Sequence, residues 1–135
     1  MRGSGGVRTR CPDPWCTGPL QRQHLDAVLE IERRCFTQAW SRADFECVLV
    51  DGRASTRGAW LAAELVGYAI GYVDPPQFHL ANLAIAPARQ RRGYAHRLML
   101  EVFEELRHRE CSRCALEVRA SNGAAQRLYS RLGFA

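Results

Sequence analysis

The sequence predicts an α/β or α+β domain built on one sheet, and three observations predict it. Residues 94–109 carry apolar side chains at helical spacing: Tyr94, Leu98, Val102 and Leu106 form one stripe, widened by Met99 and Phe103. Three apolar runs, 59–65, 67–73 and 78–86, have the length and residue types of strands. The first two are joined tightly, as in a hairpin, and Asp74-Pro75-Pro76 breaks the chain before the third. Helical and strand patterns then alternate to the end of the chain. At 135 residues the protein has the size of one domain able to bury a real core.

In chain order, residues 1–19 are rich in Gly, Pro and Arg and have no period, so they read as a flexible N-terminal arm. A short strand is expected near Trp15–Leu20, and the domain proper spans 20–135. From His24 the pattern is helical, with Leu25, Val28, Leu29 and Glu32 at three- and four-residue spacing. Ser41, with Asp44 three positions later, has the form of an N-cap for a helix over Arg42–Val50. Asp51-Gly52 closes that helix. Between the two helices, Phe36 and Trp40 either line a substrate groove or plug the core. The strand run 78–86 ends at Pro87, and after the long helix a short strand is expected at Ala115–Val118. A last helix over Asn122–Arg131 turns Ala125, Leu128, Tyr129 and Leu132 inward and stops at Gly133. No internal repeat is present.

Charge narrows the chemistry. The net charge is +5, and all 19 basic residues are Arg. Without Lys there is no Schiff base and no Walker lysine, whereas Arg suits bidentate phosphate binding. The Arg residues are scattered rather than clustered with aromatics, which argues against a nucleic-acid partner. No apolar run reaches the length of a membrane span, and the first twenty residues lack a signal-type apolar region. A cytoplasmic protein without a membrane partner is expected. The six Cys (11, 16, 35, 47, 111 and 114) form no disulfide ladder. Cys11 with Cys16 and Cys111 with Cys114 are spaced differently, so small buried thiols are a plainer reading than structural zinc. No metal is expected, and His79, His96 and His108 show no ligand spacing.

Two constellations could carry chemistry. Gln90-Arg91-Arg92-Gly93-Tyr94-Ala95 lies between a strand and a long helix, where free backbone N–H groups and the helix dipole make an anion site. Gly93 lets backbone approach a ligand, and Arg91, Arg92 and Arg97 add charge. An Arg-rich helix start facing water is the alternative. The second is Glu117 with Tyr129, across one strand, turn and helix. A strand Glu is costly to bury unless it faces a cleft or a partner. Glu117 could instead pair with Arg119 or another Arg, and Tyr129 could be a core aromatic.

Together, QRRGYA and the segments NLAIAPARQRRGYAHRLM and LEVRASNGAAQRLYSRLGF resemble the GNAT family of acetyl-CoA-dependent N-acetyltransferases. Within it they resemble the RimI branch, which acetylates the N-terminal alanine of a bacterial small-subunit ribosomal protein. The likeness runs from about His24 to Ala135 and is most specific over residues 82–134. It implies a mixed, largely antiparallel sheet flanked by helices, with acetyl-CoA as cosubstrate and a protein N-terminus as partner. It also implies that Leu83, Ala84 and Ile85 contact the pantetheine arm through backbone, with Ile85 polarising the thioester carbonyl. The pyrophosphate falls to Arg91, Arg92, Gly93, Tyr94, Ala95 and His96, and Asn122 anchors the cofactor arm. Glu117 is implied as general base and Tyr129 as general acid.

This chain departs from the family pattern in having Ala39 before Trp40 where Pro is usual, and Ala95 for the second loop glycine. The family continues past Leu-Gly-Phe with two more strands, so a C-terminally shortened sheet is expected. Alternatives are a GNAT enzyme acting on a small amine or lysine side chain, or a non-catalytic acetyl-CoA-binding fragment.

Overall fold

The computed structural model describes residues 14–116. They form a five-stranded sheet with helices on both faces. In chain order the elements are β1 (Trp15–Gly18), α1 (Leu25–Cys35), α2 (Arg42–Val50), β2 (Ala54–Leu61), β3 (Glu64–Asp74), β4 (Gln77–Ile85), α3 (Tyr94–Arg107) and β5 (Arg113–Leu116). Spatial order equals sequence order. β1 to β4 pair antiparallel, and β5 joins β4 in parallel after the α3 crossover. The mixed, largely antiparallel sheet expected from the sequence is the one observed.

Local signals account for the helices. Ser41 Oγ accepts from the Asp44 N–H at 3.1 Å, and the Asp44 carboxylate accepts from the Ser41 N–H at 2.8 Å. That reciprocal box starts α2 at the expected residue. α3 buries Leu98, Met99, Val102 and Leu106 on one stripe, as its period requires. This stripe packs on Val66, Ala69, Leu80, Leu83 and Ile85 of the sheet. The opposite face packs α1 and α2, through Leu25, Val28, Leu29 and Phe45, on Trp60, Tyr68, Ile70 and Ala84. Phe36 is buried in that second core, and Trp40 lies half-buried with its ring 5.3 Å from Phe45.

Three expectations are revised in detail. The short strand expected near Trp15–Leu20 forms at residues 15–18 and is the edge strand of the sheet: Trp15 is buried and pairs with Leu61. Side-chain contacts the sequence does not mark hold this strand. Trp15 Nε1 donates to Glu101 at 2.7 Å, the Thr17 hydroxyl to the same carboxylate at 2.6 Å, and Trp15 stacks on Tyr94 at 5.5 Å. Second, the hairpin turns at Ala62-Ala63, so residues 64–66 lie in the second strand rather than in the first or the turn. These two alanines adopt φ of 49° and 74°, a left-handed turn that Gly or Asn ordinarily marks. Third, Cys16 is disulfide-bonded rather than a free thiol, whereas Cys35, Cys47, Cys111 and Cys114 are free.

The expected helix over 122–131 lies outside the described residues. Of the strand expected at 115–118, residues 115 and 116 fall in β5, which begins at Arg113, and the rest lie outside. No helix among the described residues is long and apolar enough to cross a membrane.

Candidate active site

The site is built where β4 ends and α3 begins. Register fixes which backbone groups of β4 are spent inside the sheet. Gly67, Tyr68 and Ala69 of β3 stand opposite Ile85, Ala84 and Leu83, and the Ala86 N–H bonds the Val66 carbonyl at 2.8 Å. In an antiparallel ladder, bonded and non-bonded pairs alternate. Counting from the bonded pair Val66–Ala86, Ala84 is bonded to Tyr68, while Leu83 and Ile85 turn their N–H and C=O groups away from β3. On that side the described pairing with β5 stops at Leu80–Leu116. Of the three β4 residues expected to meet a cofactor arm through backbone, Leu83 and Ile85 therefore can do so, and Ala84 has its backbone engaged within the sheet.

The Ile85 carbonyl is already held. Gln90 Nε2 donates to it at 2.9 Å and Cys35 Sγ at 3.2 Å. The Ile85 N–H turns to the same side, away from β3. Gln90, the first residue of the loop motif, thus ties the loop back to the strand end.

The loop then turns sharply. Arg91 has φ 66° and Gly93 φ 82°, so two left-handed residues bring the chain into α3. Gly93 is the N-cap, and a Cβ there would meet nothing within 4 Å, so the space over it is open. No side chain caps this end and no acidic residue sits in the first turn. The N–H groups and the positive end of the dipole are therefore left for an anion. Arg91, Arg92 and His96 are exposed around this turn, and Tyr94 and Ala95 are half-buried. A diphosphate with a pantetheine arm fits this arrangement: charge at the helix head, extended backbone groups at the strand end.

Arg97, one turn along, places its guanidinium 4.7 Å from the centre of the Trp15 ring. Glu117, Asn122 and Tyr129 lie outside the described residues; Glu117 directly follows Leu116, the last described residue of β5.

Sequence reasoning passed over two side chains here. Glu32 was counted only as part of a helical stripe, yet it is fully buried and accepts from Trp40 N–H, Asn82 Nδ2 and Tyr68 OH. Cys35 carried no motif. Its pKa is pushed up to about 11, by burial first and then by the nearby Glu32 carboxylate. Cys114 is likewise raised to about 11, by burial and then by Cys111. Both are thiols at neutral pH, suited to donating hydrogen bonds rather than to ligating metal or attacking an acyl group. Among the described residues, no group of three or more His, Cys, Asp or Glu could hold a metal ion.

Comparison with known proteins follows this geometry. Residues 25–134 match the Acetyltransferase (GNAT) family. The chain is 40% identical over 118 residues to the [ribosomal protein bS18]-alanine N-acetyltransferase of Haemophilus ducreyi, covering 85% of this chain and 79% of that protein. It is 31% identical over 128 residues to the N-alpha-acetyltransferase RimI of Mycobacterium tuberculosis, covering 90% and 79%. The crystal structure of the ribosomal-protein-S18-alanine N-acetyltransferase from Escherichia coli superposes with a TM-score of 0.79 at 31% identity, covering 88% of this chain and 76% of that one. A coenzyme A complex of an N-acetyltransferase from Thermoplasma acidophilum, at 16% identity and the same TM-score, shares the fold. The β4 backbone turned away from β3, the uncapped head of α3 and these matches converge: the chain belongs to the GNAT family of acetyl-CoA-dependent acetyltransferases.

Proposed function

We propose that this enzyme transfers the acetyl group of acetyl-CoA to the N-terminal amine of a protein, a ribosomal protein beginning with alanine. The 40% identity with a protein named for that reaction carries the reading. The geometry supports its cofactor half. In this reading the Ile85 N–H receives the thioester carbonyl, and the pyrophosphate rests on the head of α3 among Arg91, Arg92, Gly93, Tyr94, Ala95 and His96, with Asn122 on the cofactor arm.

A protein N-terminal amine has a pKa of about 8, so roughly a tenth of it is neutral at pH 7. One proton must leave, directly or through water, and Glu117 takes it as general base. Amine attack on the thioester carbonyl gives a tetrahedral intermediate whose oxyanion the Ile85 N–H stabilises. Its collapse breaks the C–S bond, and Tyr129 protonates the departing thiolate. No covalent enzyme intermediate forms, in keeping with the raised pKa of Cys35.

The test uses a peptide with the alanine-starting N-terminus of bS18, the same peptide with a blocked N-terminus, and mass spectrometry to locate the acetyl group. Acetylation of the free α-amine alone is expected. Equal acetylation of a lysine in the blocked peptide would replace this reading with a side-chain transferase. Glu117→Gln and Tyr129→Phe should each lower kcat by about 10²–10⁴-fold. Rates equal to the parent's would remove both residues from these roles.

A further inference from the structure

The proposed reaction leaves a buried carboxylate, that of Glu32, without a task. Glu32 lies in the last turns of α1, with none of its surface exposed. Burying a carboxylate in an apolar layer is expensive unless each oxygen is hydrogen-bonded. An aliphatic residue, as at the neighbouring stripe positions Leu25, Val28 and Leu29, would fill that space without the cost.

What the carboxylate gains is connection between three separate parts of the chain. One oxygen accepts from the Tyr68 hydroxyl of β3 and from Asn82 Nδ2 of β4, the latter at 2.9 Å. The other accepts the backbone N–H of Trp40 at 2.9 Å. Trp40 closes the aromatic loop between α1 and α2, directly before the Ser41 cap. Asn82 directly precedes Leu83, whose backbone turns away from β3. Asn82 is 3% exposed and its Oδ1 has no hydrogen-bond partner among the described residues, so its donor side is committed to Glu32. Three residues after Glu32, Cys35 donates to the Ile85 carbonyl. The end of α1 therefore grips β4 on both sides of the edge, at Asn82 and at Ile85, and grips the aromatic loop with the same carboxylate.

We propose that Glu32 is a positioning residue for the acceptor: it sets the Trp40 end of the aromatic loop relative to the β4 edge, so that an incoming peptide N-terminus meets the thioester in register. This inference rests on the acetyl-transfer reading above and adds to it the element that orients the acceptor. Side-chain contacts to the cofactor are not involved, so cofactor affinity and acceptor affinity should separate.

Glu32→Gln keeps the shape but offers one carbonyl oxygen to contacts that now use two. Amide hydrogen exchange in a peptide spanning 36–45 should quicken by about tenfold, the loss of one hydrogen bond to a charged group, while α3 stays as protected as in the parent. KM for the alanine-starting peptide should rise by about tenfold, with kcat changed less than about threefold and the coenzyme A Kd within about twofold. Tyr68→Phe removes one of the three donors and should move the same two readouts by about threefold. If Glu32→Gln does not fold, Tyr68→Phe decides by the same measures. Faster exchange with an unchanged acceptor KM would reduce Glu32 to a structural group and overturn the proposal. So would an equal loss of coenzyme A and acceptor affinity. A parent enzyme that transfers no acetyl group fails the reaction itself, an outcome distinct from an active parent with an indifferent Glu32 variant.

Discussion

The two faces of the sheet are built on different principles. Under α3 the layer is apolar to its centre, and its polar contacts sit at the rim. There Trp15 and Thr17 meet Glu101, and Arg57 reaches Glu105 at 2.8 Å. Under α1 and α2 a carboxylate occupies the middle of the layer and is held by two strands and a loop. A rim network can be cut and the apolar layer beneath still packs. A central network ties separate elements into one geometry, and cutting it moves them. The first face is a source of stability; the second trades stability for position.

The sharpest way to break this contrast is Trp15→Ala. Removing a buried Trp from the α3 face should cost about 3–5 kcal/mol in urea unfolding, and should leave hydrogen exchange at residues 36–45 unaltered below the transition. A loss under about 0.5 kcal/mol would mean that β1 adds little to the packing of this face. Gly93→Ala comes next: with nothing within 4 Å of the new Cβ, its cost is the φ of 82° alone, about 1–2 kcal/mol. Calorimetry should also show weaker coenzyme A binding, and unchanged binding would remove the α3 head from the cofactor site. On the other face, Ser41→Ala removes the α2 cap for about 1 kcal/mol, read as a small drop in Tm with β-sheet circular dichroism intact.

The smallest effects separate the two half-buried thiols, Cys35 at the end of α1 and Cys114 on β5. Both are raised from 9.0 to about 11. A raised thiol pKa adds stability that is whole below pH 9 and lost as pH climbs toward 11, because the unfolded chain releases the proton first. Stability should therefore decline across that alkaline window. At pH 8 iodoacetamide should modify exposed Cys47 well before either. Glu32→Gln should lower the pKa of Cys35, whose rise Glu32 assists, and leave Cys114, whose rise comes from burial and Cys111, where it was. A shared shift in both would mean the faces are not electrically separate.

Much of this was legible along the chain. The Ser41–Asp44 box, the α3 stripe and the Asp74-Pro75-Pro76 break are each written within a few residues, because capping, helical period and turn chemistry act over that range. The loop motif marked a candidate anion site for the same reason: a strand end, a glycine and a helix head are consecutive. The Ala62-Ala63 turn was not legible, since its backbone shape is imposed by the pairing of β2 with β3 and no residue type marks it.

The sequence by itself thus determined α1, α2 and α3, the apolar runs that become β2, β3 and β4, and the family. Tertiary structure alone decided which side chains hold Trp15 in the sheet, that Leu83 and Ile85 rather than Ala84 turn their backbone outward, and that Glu32 is a junction instead of a stripe residue. The reason is separation along the chain. Glu32 meets partners 36 and 50 residues away, and Trp15 one 86 residues away. Such contacts form only when the sheet brings distant segments together, and no short window of sequence records which side chains will then face each other.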